Sequence, residues 1–410
     1  MARAYAETDT IPTGWRTRQP GLTIWLLISV IRVLLVILFY TLYYVPPPFR
    51  QSRTWTYRQA LTTRICKISF NVVRQIGFTQ SLSLEPGKLG DSWMLMSPGP
   101  ADSYRAPFTS ETIIPETIGG TWYPGPPPKP SPPASTTTTT TTTISSPLLD
   151  SKTETQNLII LSFHGSSFLW LNGRPDDSGY TATLLNNAVS PTAHSLWVQY
   201  RLAGGNNPTP YPGPMQDALT AYLHLVNELN IPPSQIILAG DSSGATMAMA
   251  LVRYLASFAH QTGHPLAELP PPRACLLFSP SVNYSYEGDA YALNTNRNQK
   301  TDYCDGEMGA WGAAAFAPPD VVRLDDPYLS PALHPFATPV PIFVQVGGAE
   351  VLCDSAREFV EAFRGVDGNV VEFLETPDVP HDVYMTGHIL GWDREQKEMV
   401  EAAGRFVGGL

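Results

Sequence analysis

The stretch IILAGDSSGATMAMA, residues 236–250, passes from an apolar run through a polar turn into an alanine-rich segment. Gly240, Ser242 and Gly244 stand in the fixed positions of a GxSxG pattern. A serine flanked in this way at a strand-to-helix junction is the arrangement of a nucleophile elbow. The turn is sharp, the serine backbone is strained, and the positions two residues either side must be small for strand and helix to meet. Gln235–Ala239 reads as a short buried strand and Ser243–His260 as a helix rich in Ala, Met and Leu. Gly, Asp and Ser also build ordinary turns, so the pattern gains meaning only from partners elsewhere in the chain.

Those partners follow from the rhythm of the body. Apolar runs beginning at Asn157, Ser195, Gln235, Ala274, Pro341 and Asn369 read as strands, and helical stretches such as Met215–Leu229 and Ala356–Arg364 lie between most of them. Alternation of this kind argues an α/β fold, a mostly parallel sheet with helices on both faces. In such sheets, sites form beyond the carboxyl ends of the strands. There the chain places HGSS (164–167), Ser242, GGAEVLCD (347–354) and DVPHDVYM (378–385). The order of serine, acid and histidine is that of α/β-hydrolases. The GDSSG string superficially suggests a chymotrypsin-like protease, but that chain would need its His and Asp upstream and an all-β pattern.

Ester cleavage assigns the roles. A serine hydroxyl is a poor nucleophile until a base removes its proton, which falls to His381 as base for Ser242. A carboxylate must orient the imidazole and stabilise its cation, which falls to Glu350, with Asp354 as the competing acid. The developing oxyanion needs preorganised donors, and the backbone N–H groups of Gly165, Ser166, Ser167 and Ser243 are placed to supply them. His388 is the nearby rival of His381, and His164 is read as shaping the oxyanion turn. His260 and His264 sit where a helix ends before Pro265 with no third ligand suggested, so no metal is expected, and no cofactor.

These residues, in this order, resemble the hormone-sensitive-lipase-like family of α/β-hydrolases. GTWYP (120–124), HGSSFLWL (164–171), YRLAGGNNPTPYPGPMQDALTAYLHLV (200–226), GDSSGATMA (240–248), YLSPAL (328–333) and GGAEVLCDSAREF (347–359) carry the resemblance, from about Gly120 to the C-terminus. It departs at two points. The family's oxyanion turn is usually HGGG or HGGA, and Ser166 and Ser167 replace its glycines; the acid is usually Asp, and Glu350 replaces it. A serine at 166 is less free to take positive φ and adds bulk near the reacting carbonyl.

The 410-residue chain carries a net charge of −10 and no basic block, which gives no reason to expect nucleic acid. Only 15% of residues are charged and 40 are proline. Two segments account for this. Leu22–Val45, with one charge at Arg32, is about as long as the 20 residues that cross a bilayer core, and its Leu, Ile, Val and Phe outweigh the arginine. Trp25 at one end and Tyr40, Tyr43 and Tyr44 at the other suit the interfaces, and VPPPF after them stops the helix. The run is too long for a cleaved signal and lacks a small-residue site, so an uncleaved anchor is expected. The second segment, from Trp122, holds a proline run and eight threonines, Thr136–Thr143, and is expected to be a disordered insertion.

The expected layout is a tail (1–21), a transmembrane anchor (22–45), amphipathic or cap helices (46–90) and a hydrolase domain (91–410). That domain would contain the disordered insertion at 124–147 and a cap insertion at about 282–335. Trp55–Phe78 sets Leu61, Ile65, Ile68, Val72 and Ile76 on one helical face, with Arg58, Arg64, Lys67 and Arg74 available to the other. Trp311, Phe316 and Tyr291 are candidates for an apolar pocket lining. Counting Arg and Lys around the anchor, Arg3, Arg16 and Arg18 against Arg50, Arg53, Arg58, Arg64 and Lys67, leaves the body in the cytosol. An anchor ahead of this domain resembles the fungal sterol-deacetylase branch of the family, which implies a catalytic domain in the endoplasmic reticulum lumen. Cys66, Cys275, Cys304 and Cys353 form no disulfide framework or CxxC site, and Asn283 heads one sequon.

The function expected is serine-dependent hydrolysis of a lipophilic ester, such as an acetylated sterol, terpenoid or polyketide, delivered from the bilayer. The alternatives are a catalytically weak protein that binds a small hydrophobic ligand, since fold does not fix function, and an acyltransferase whose acceptor is not water.

Overall fold

The six runs read as strands form the parallel part of an eight-stranded sheet in a computed structural model of the chain. The structure describes residues 18–77, 80–127, 157–205, 207–259, 261, 263–267 and 269–410. The tail to residue 17, His260 and the insertion from residue 128 onward lie outside the described residues. The strands are β1 (Trp93–Met96), β2 (Ile118–Tyr123), β3 (Ile159–Phe163), β4 (His194–Gln199), β5 (Ile236–Asp241), β6 (Ala274–Phe278), β7 (Ile342–Gly347) and β8 (Val371–Thr376). Their order is β1-β2-β4-β3-β5-β6-β7-β8. From β3 and β4 to β8 every pairing is parallel; β1 and β2 add an antiparallel edge beside β4.

The helices are α1 (Gly21–Tyr43), α2 (Tyr57–Ile76), α3 (Pro175–Val189), α4 (Gly213–Leu223), α5 (Ser243–Phe258), α6 (Tyr284–Glu287), α7 (Ala290–Thr295), α8 (Gly306–Phe316), α9 (Cys353–Arg364), α10 (Val383–Leu390) and α11 (Asp393–Gly408). Because side chains alternate across a strand, each central strand feeds two cores. Ile159, Leu161 and Phe163 of β3 join the core that holds Met215 of α4, Met247 of α5 and Phe359 of α9. Ile160 joins the opposite core with Leu185 of α3 and Met399 of α11. Burial on both faces is why these strands read as continuous apolar runs.

The register then brings distant segments level. Phe163 pairs with Gly240 and Asp241 with Phe278, so the turns that begin at His164, Ser242 and Ser279 leave the sheet side by side. The segment between β6 and β7 carries α6, α7 and α8, and α8 packs on α2.

Two features differ from the reading of the sequence. The most buried positions of α2 are Ala60 and Thr63, whereas Leu61, Ile65, Ile68 and Val72 are half-buried and Ile76 is exposed. Lys67 is not on a solvated face: its Nζ donates to the carbonyls of Gln299 (2.8 Å) and Asp302 (3.1 Å). Tertiary contacts therefore override the helical-wheel assignment. Trp55 anchors the segment before α2 to the C-terminal region, edge-on to Trp392 at 5.1 Å, with Nε1–H donating to the Asp378 carbonyl.

Helix α1 includes Thr23–Tyr43, 21 residues with mean hydropathy 2.5, long and apolar enough to cross a membrane. At 1.5 Å per residue this is about 32 Å. Its Leu27, Leu34, Leu35 and Leu42 side chains are exposed. Its C-terminal end is tied to α2, where Arg64 lies over the Tyr40 ring and donates to Tyr44 Oη, and Tyr57 Oη–H donates to the Thr41 carbonyl.

Candidate active site

Ser242 is the residue between β5 and α5, with φ 49° and ψ −121°. The glycine requirement read from the sequence has a steric cause. A Cβ on Gly240 would sit 2.3 Å from the Gly244 carbonyl oxygen, and one on Gly244 would sit 2.0 Å from that of Phe163. Strand and helix approach so closely that nothing larger than hydrogen fits at either position. The N–H of Ser242 donates to the Phe278 carbonyl, and its own carbonyl accepts from Ser281, fixing the turn on β6.

His381 Nε2 lies 3.0 Å from Ser242 Oγ, and His381 Nδ1 lies 3.1 Å from Glu350 Oε2. Ser242 is 7% exposed, His381 5% and Glu350 0%. The structure thus brings the three residues into one hydrogen-bonded series. Asp354, the competing acid, stands on the first turn of α9, half exposed, paired with Arg297 (2.7 Å) and Arg357 (3.0 Å). His388 stacks on Tyr180 at 4.1 Å, away from the series.

Burial pulls the His381 imidazole down, but the hydrogen bond to Glu350, the charge of Glu350, and Asp302 and Asp382 behind it outweigh that pull and hold the ring above its ordinary range. Asp302 is a residue that the sequence reading missed. Its Oδ2 accepts from the Val351 N–H at 2.7 Å, and its Oδ1 accepts from Cys304 (3.2 Å) and His381 (3.3 Å). One buried carboxylate therefore ties the turn bearing Glu350 to the turn bearing His381. Asn298 and Thr301 reinforce the same turn, donating to the carbonyls of Glu350 (2.8 Å) and Ala349 (2.9 Å). No local pattern marks these residues, because the Glu350 and His381 turns they hold lie 48 to 79 residues further along the chain.

The oxyanion turn differs from expectation at one donor. The Gly165 N–H is committed to Asp241 Oδ2 at 2.7 Å, so it is not available to a ligand. The N–H groups of Ser166, Ser167 and Ser243 donate to no acceptor among the described residues. Ser166, Ser167 and Phe168 run consecutively through positive φ, at 76°, 53° and 61°. The expected reluctance of serine at position 166 is offset by a bond glycine cannot make, from Ser166 Oγ to the Trp170 carbonyl. That bond also turns the hydroxyl back into its own loop. Phe168 then stacks on Phe316 of α8 at 3.8 Å, and its carbonyl accepts from Ala203. His164 is fully buried against Tyr200, whose Oη–H donates to the His164 carbonyl. Burial lowers the His164 imidazole to about 4, so it is neutral and structural.

The pocket candidates separate. Phe316 is fully buried in the core, and Trp311 packs near Trp170 at 5.8 Å in a cluster with Phe70 of α2. Tyr291 is 78% exposed, because α7 turns that face of the cap to solvent. Phe70 also meets Tyr303, which stands edge-on to His381 at 5.9 Å, so α2 reaches the site through one aromatic ring. The Asn283 side chain is buried and caps α6 through the Tyr286 N–H. The four cysteines are free, and no group of three or more metal-ligating side chains occurs among the described residues.

Comparison with known proteins agrees with this architecture. The profile of the alpha/beta hydrolase fold family matches residues 160–385. An acetyl-hydrolase of Streptomyces hygroscopicus is 30% identical over 248 residues, 60% of this chain and 74% of that protein. An esterase of Acinetobacter venetianus is 26% identical over 212 residues, 52% of this chain and 63%, under two thirds, of its own length. An esterase of the bacterial hormone-sensitive lipase family superposes with a TM-score of 0.52 at 18% identity, covering 92% of this chain and 97% of that one, a likeness of fold. The family match spans more than half of the chain and contains the elbow and the turns that bear Glu350 and His381; the chain belongs to the alpha/beta hydrolase family.

Proposed function

We propose that this protein is a serine carboxylesterase that removes a short acyl group, acetyl first among them, from a lipophilic alcohol. The observation that carries the reading is the buried series Ser242–His381–Glu350 beside three uncommitted N–H groups. As Ser242 Oγ attacks the ester carbon, its proton passes to His381 Nε2. Glu350 holds Nδ1–H and stabilises the imidazolium. The tetrahedral oxyanion is received by Ser166, Ser167 and Ser243 N–H, the last at the positive end of α5. His381 returns the proton to the leaving alkoxide, and water repeats the cycle on the acyl-enzyme with His381 as base.

The apolar helix α1 serves, in this reading, as a membrane anchor, and its clamp on α2 sets the site near the lipid surface. An alcohol such as a sterol, terpenoid or polyketide would then be drawn from the bilayer, and the similarity to an acetyl-hydrolase supports acetate as the acyl group.

The test is hydrolysis of p-nitrophenyl acetate, butyrate and decanoate by the full chain in detergent beside Ser242→Ala. Turnover of acetate above decanoate, abolished by the substitution, is the expected result. A folded protein that cleaves none of the esters overturns the reading in favour of a ligand-binding role.

A further inference from the structure

Two carboxyl groups beside the nucleophile and the base have no part in the proton path. Asp241 ends β5 immediately before Ser242, and Asp382 immediately follows His381; both are buried. Asp241 Oδ2 accepts from the Gly165 N–H, which fixes the oxyanion turn. The Asp382 N–H donates to Ser279 Oγ at 3.0 Å, and its backbone sits in the left-handed region at φ 49°. Each side chain retains one buried oxygen, Asp241 Oδ1 and Asp382 Oδ1, that finds no donor in the protein. Asp241 pairs with Phe278 across the sheet and Asp382 is hydrogen-bonded to Ser279, the next residue, so the two side chains lie beside each other.

Two ionised carboxylates cannot rest side by side inside a protein, because like charges at close range force one to keep its proton. A single proton between them satisfies both orphan oxygens at once. We propose that Asp241 and Asp382 share one proton and act as a positioning clamp that holds the oxyanion turn and the His381 turn on the nucleophile elbow.

The surroundings favour one proton and disfavour its loss. Burial, ahead of every other influence, raises Asp241 to about 7, and burial followed by the charge of Asp241 raises Asp382. Facing the pair are His381 and Glu350, Tyr200 and Tyr384, and Tyr303 and Cys66. Of these six, only His381 can be cationic, so a second negative charge would have one partner, already held by Glu350. Loss of the shared proton at alkaline pH would part the two carboxylates and release the His381 turn.

The inference rests on His381 as the base, so the experiment includes a readout that activity does not enter. Infrared difference spectra of the full chain in detergent, wild type against Asp382→Asn at pH 7, are expected to show a protonated carboxyl band lost in the variant. Asparagine can donate to an ionised Asp241, so Asp382→Asn keeps kcat on p-nitrophenyl acetate within about threefold, and the alkaline fall of the pH profile disappears. Asp382→Ala leaves Asp241 without its partner, and kcat drops by about tenfold to a hundredfold with KM unchanged, the scale of a small misplacement of reacting groups. Absence of the band in the wild type, or an Asp382→Ala protein with wild-type kcat and pH profile, overturns the clamp. If the band is present while the folded wild type cleaves none of the esters, the clamp stands and the esterase assignment fails.

Discussion

Replacing Glu350 by glutamine removes a charge and little else. The amide is the same size, and its carbonyl can still accept from His381 Nδ1, which Glu350 Oε2 now meets at 3.1 Å. What disappears is the stabilisation of the imidazolium formed as Ser242 attacks. Both groups are buried, so solvent screens the pair poorly. Taking about 4 Å between the charged groups and an effective dielectric constant of about 20, the lost interaction is about 4 kcal/mol, roughly a thousandfold in kcat. The sign of the pH effect follows from the same charge. Glu350 helps to hold the His381 imidazole up, so in Glu350→Gln it falls, and the acid limb of kcat/KM moves to lower pH even as the rate drops. The assay is hydrolysis of p-nitrophenyl acetate across pH, with Asp354→Asn alongside. Asp354 is half exposed and paired with two arginines, so its variant should match the wild type within about twofold. A Glu350→Gln enzyme within about tenfold of the wild type, or a large loss in Asp354→Asn, would refute Glu350 as the acid.

Two further outcomes follow from packing and backbone geometry. In Ser166→Gly, relief of the left-handed strain, about 1–2 kcal/mol, is set against the lost Oγ bond to Trp170 and the entropy of glycine, each about 1 kcal/mol. Thermal melting should therefore move little, and kcat on acetate should stay within about fivefold because the donor N–H remains; a hundredfold change in either direction would show that the serine hydroxyl itself faces the substrate. In Trp55→Ala, loss of a buried indole that packs on Trp392 and donates to Asp378 should cost about 3–5 kcal/mol, read as a lowered midpoint in denaturant. A loss under about 1 kcal/mol would mean that the segment before α2 is not anchored there.

The elbow was legible because its constraint is local. A Cβ on Gly240 would meet the Gly244 carbonyl only four residues on, so half of the GxSxG constraint lies within a single turn, although Gly244 itself is pressed by Phe163 of β3. Strand and helix periods are local too, and they placed β3 to β8 and α5 within a few residues. The edge strands β1 and β2 were not read: Trp93–Met96 is only four residues long, and the GTWYP stretch drew notice for its resemblance while its pairing went unseen. Chain order pointed to a serine, an acid and a histidine, but the choice between Glu350 and Asp354 belonged to the tertiary structure. Ser242 meets His381 across 139 residues, and only the register of the sheet decides which carboxylate lies under the imidazole. The same holds for the donor lost from the oxyanion turn, since Gly165 and Asp241 are 76 residues apart. It holds as well for Lys67, which a helical wheel sends to solvent and the fold turns onto two carbonyls. By itself the sequence determined those features whose energy is spent within a turn or a helical period; contacts between distant segments, fixed by packing on both faces of the sheet, decided which carboxylate, which N–H groups and which face of α2 belong to the site.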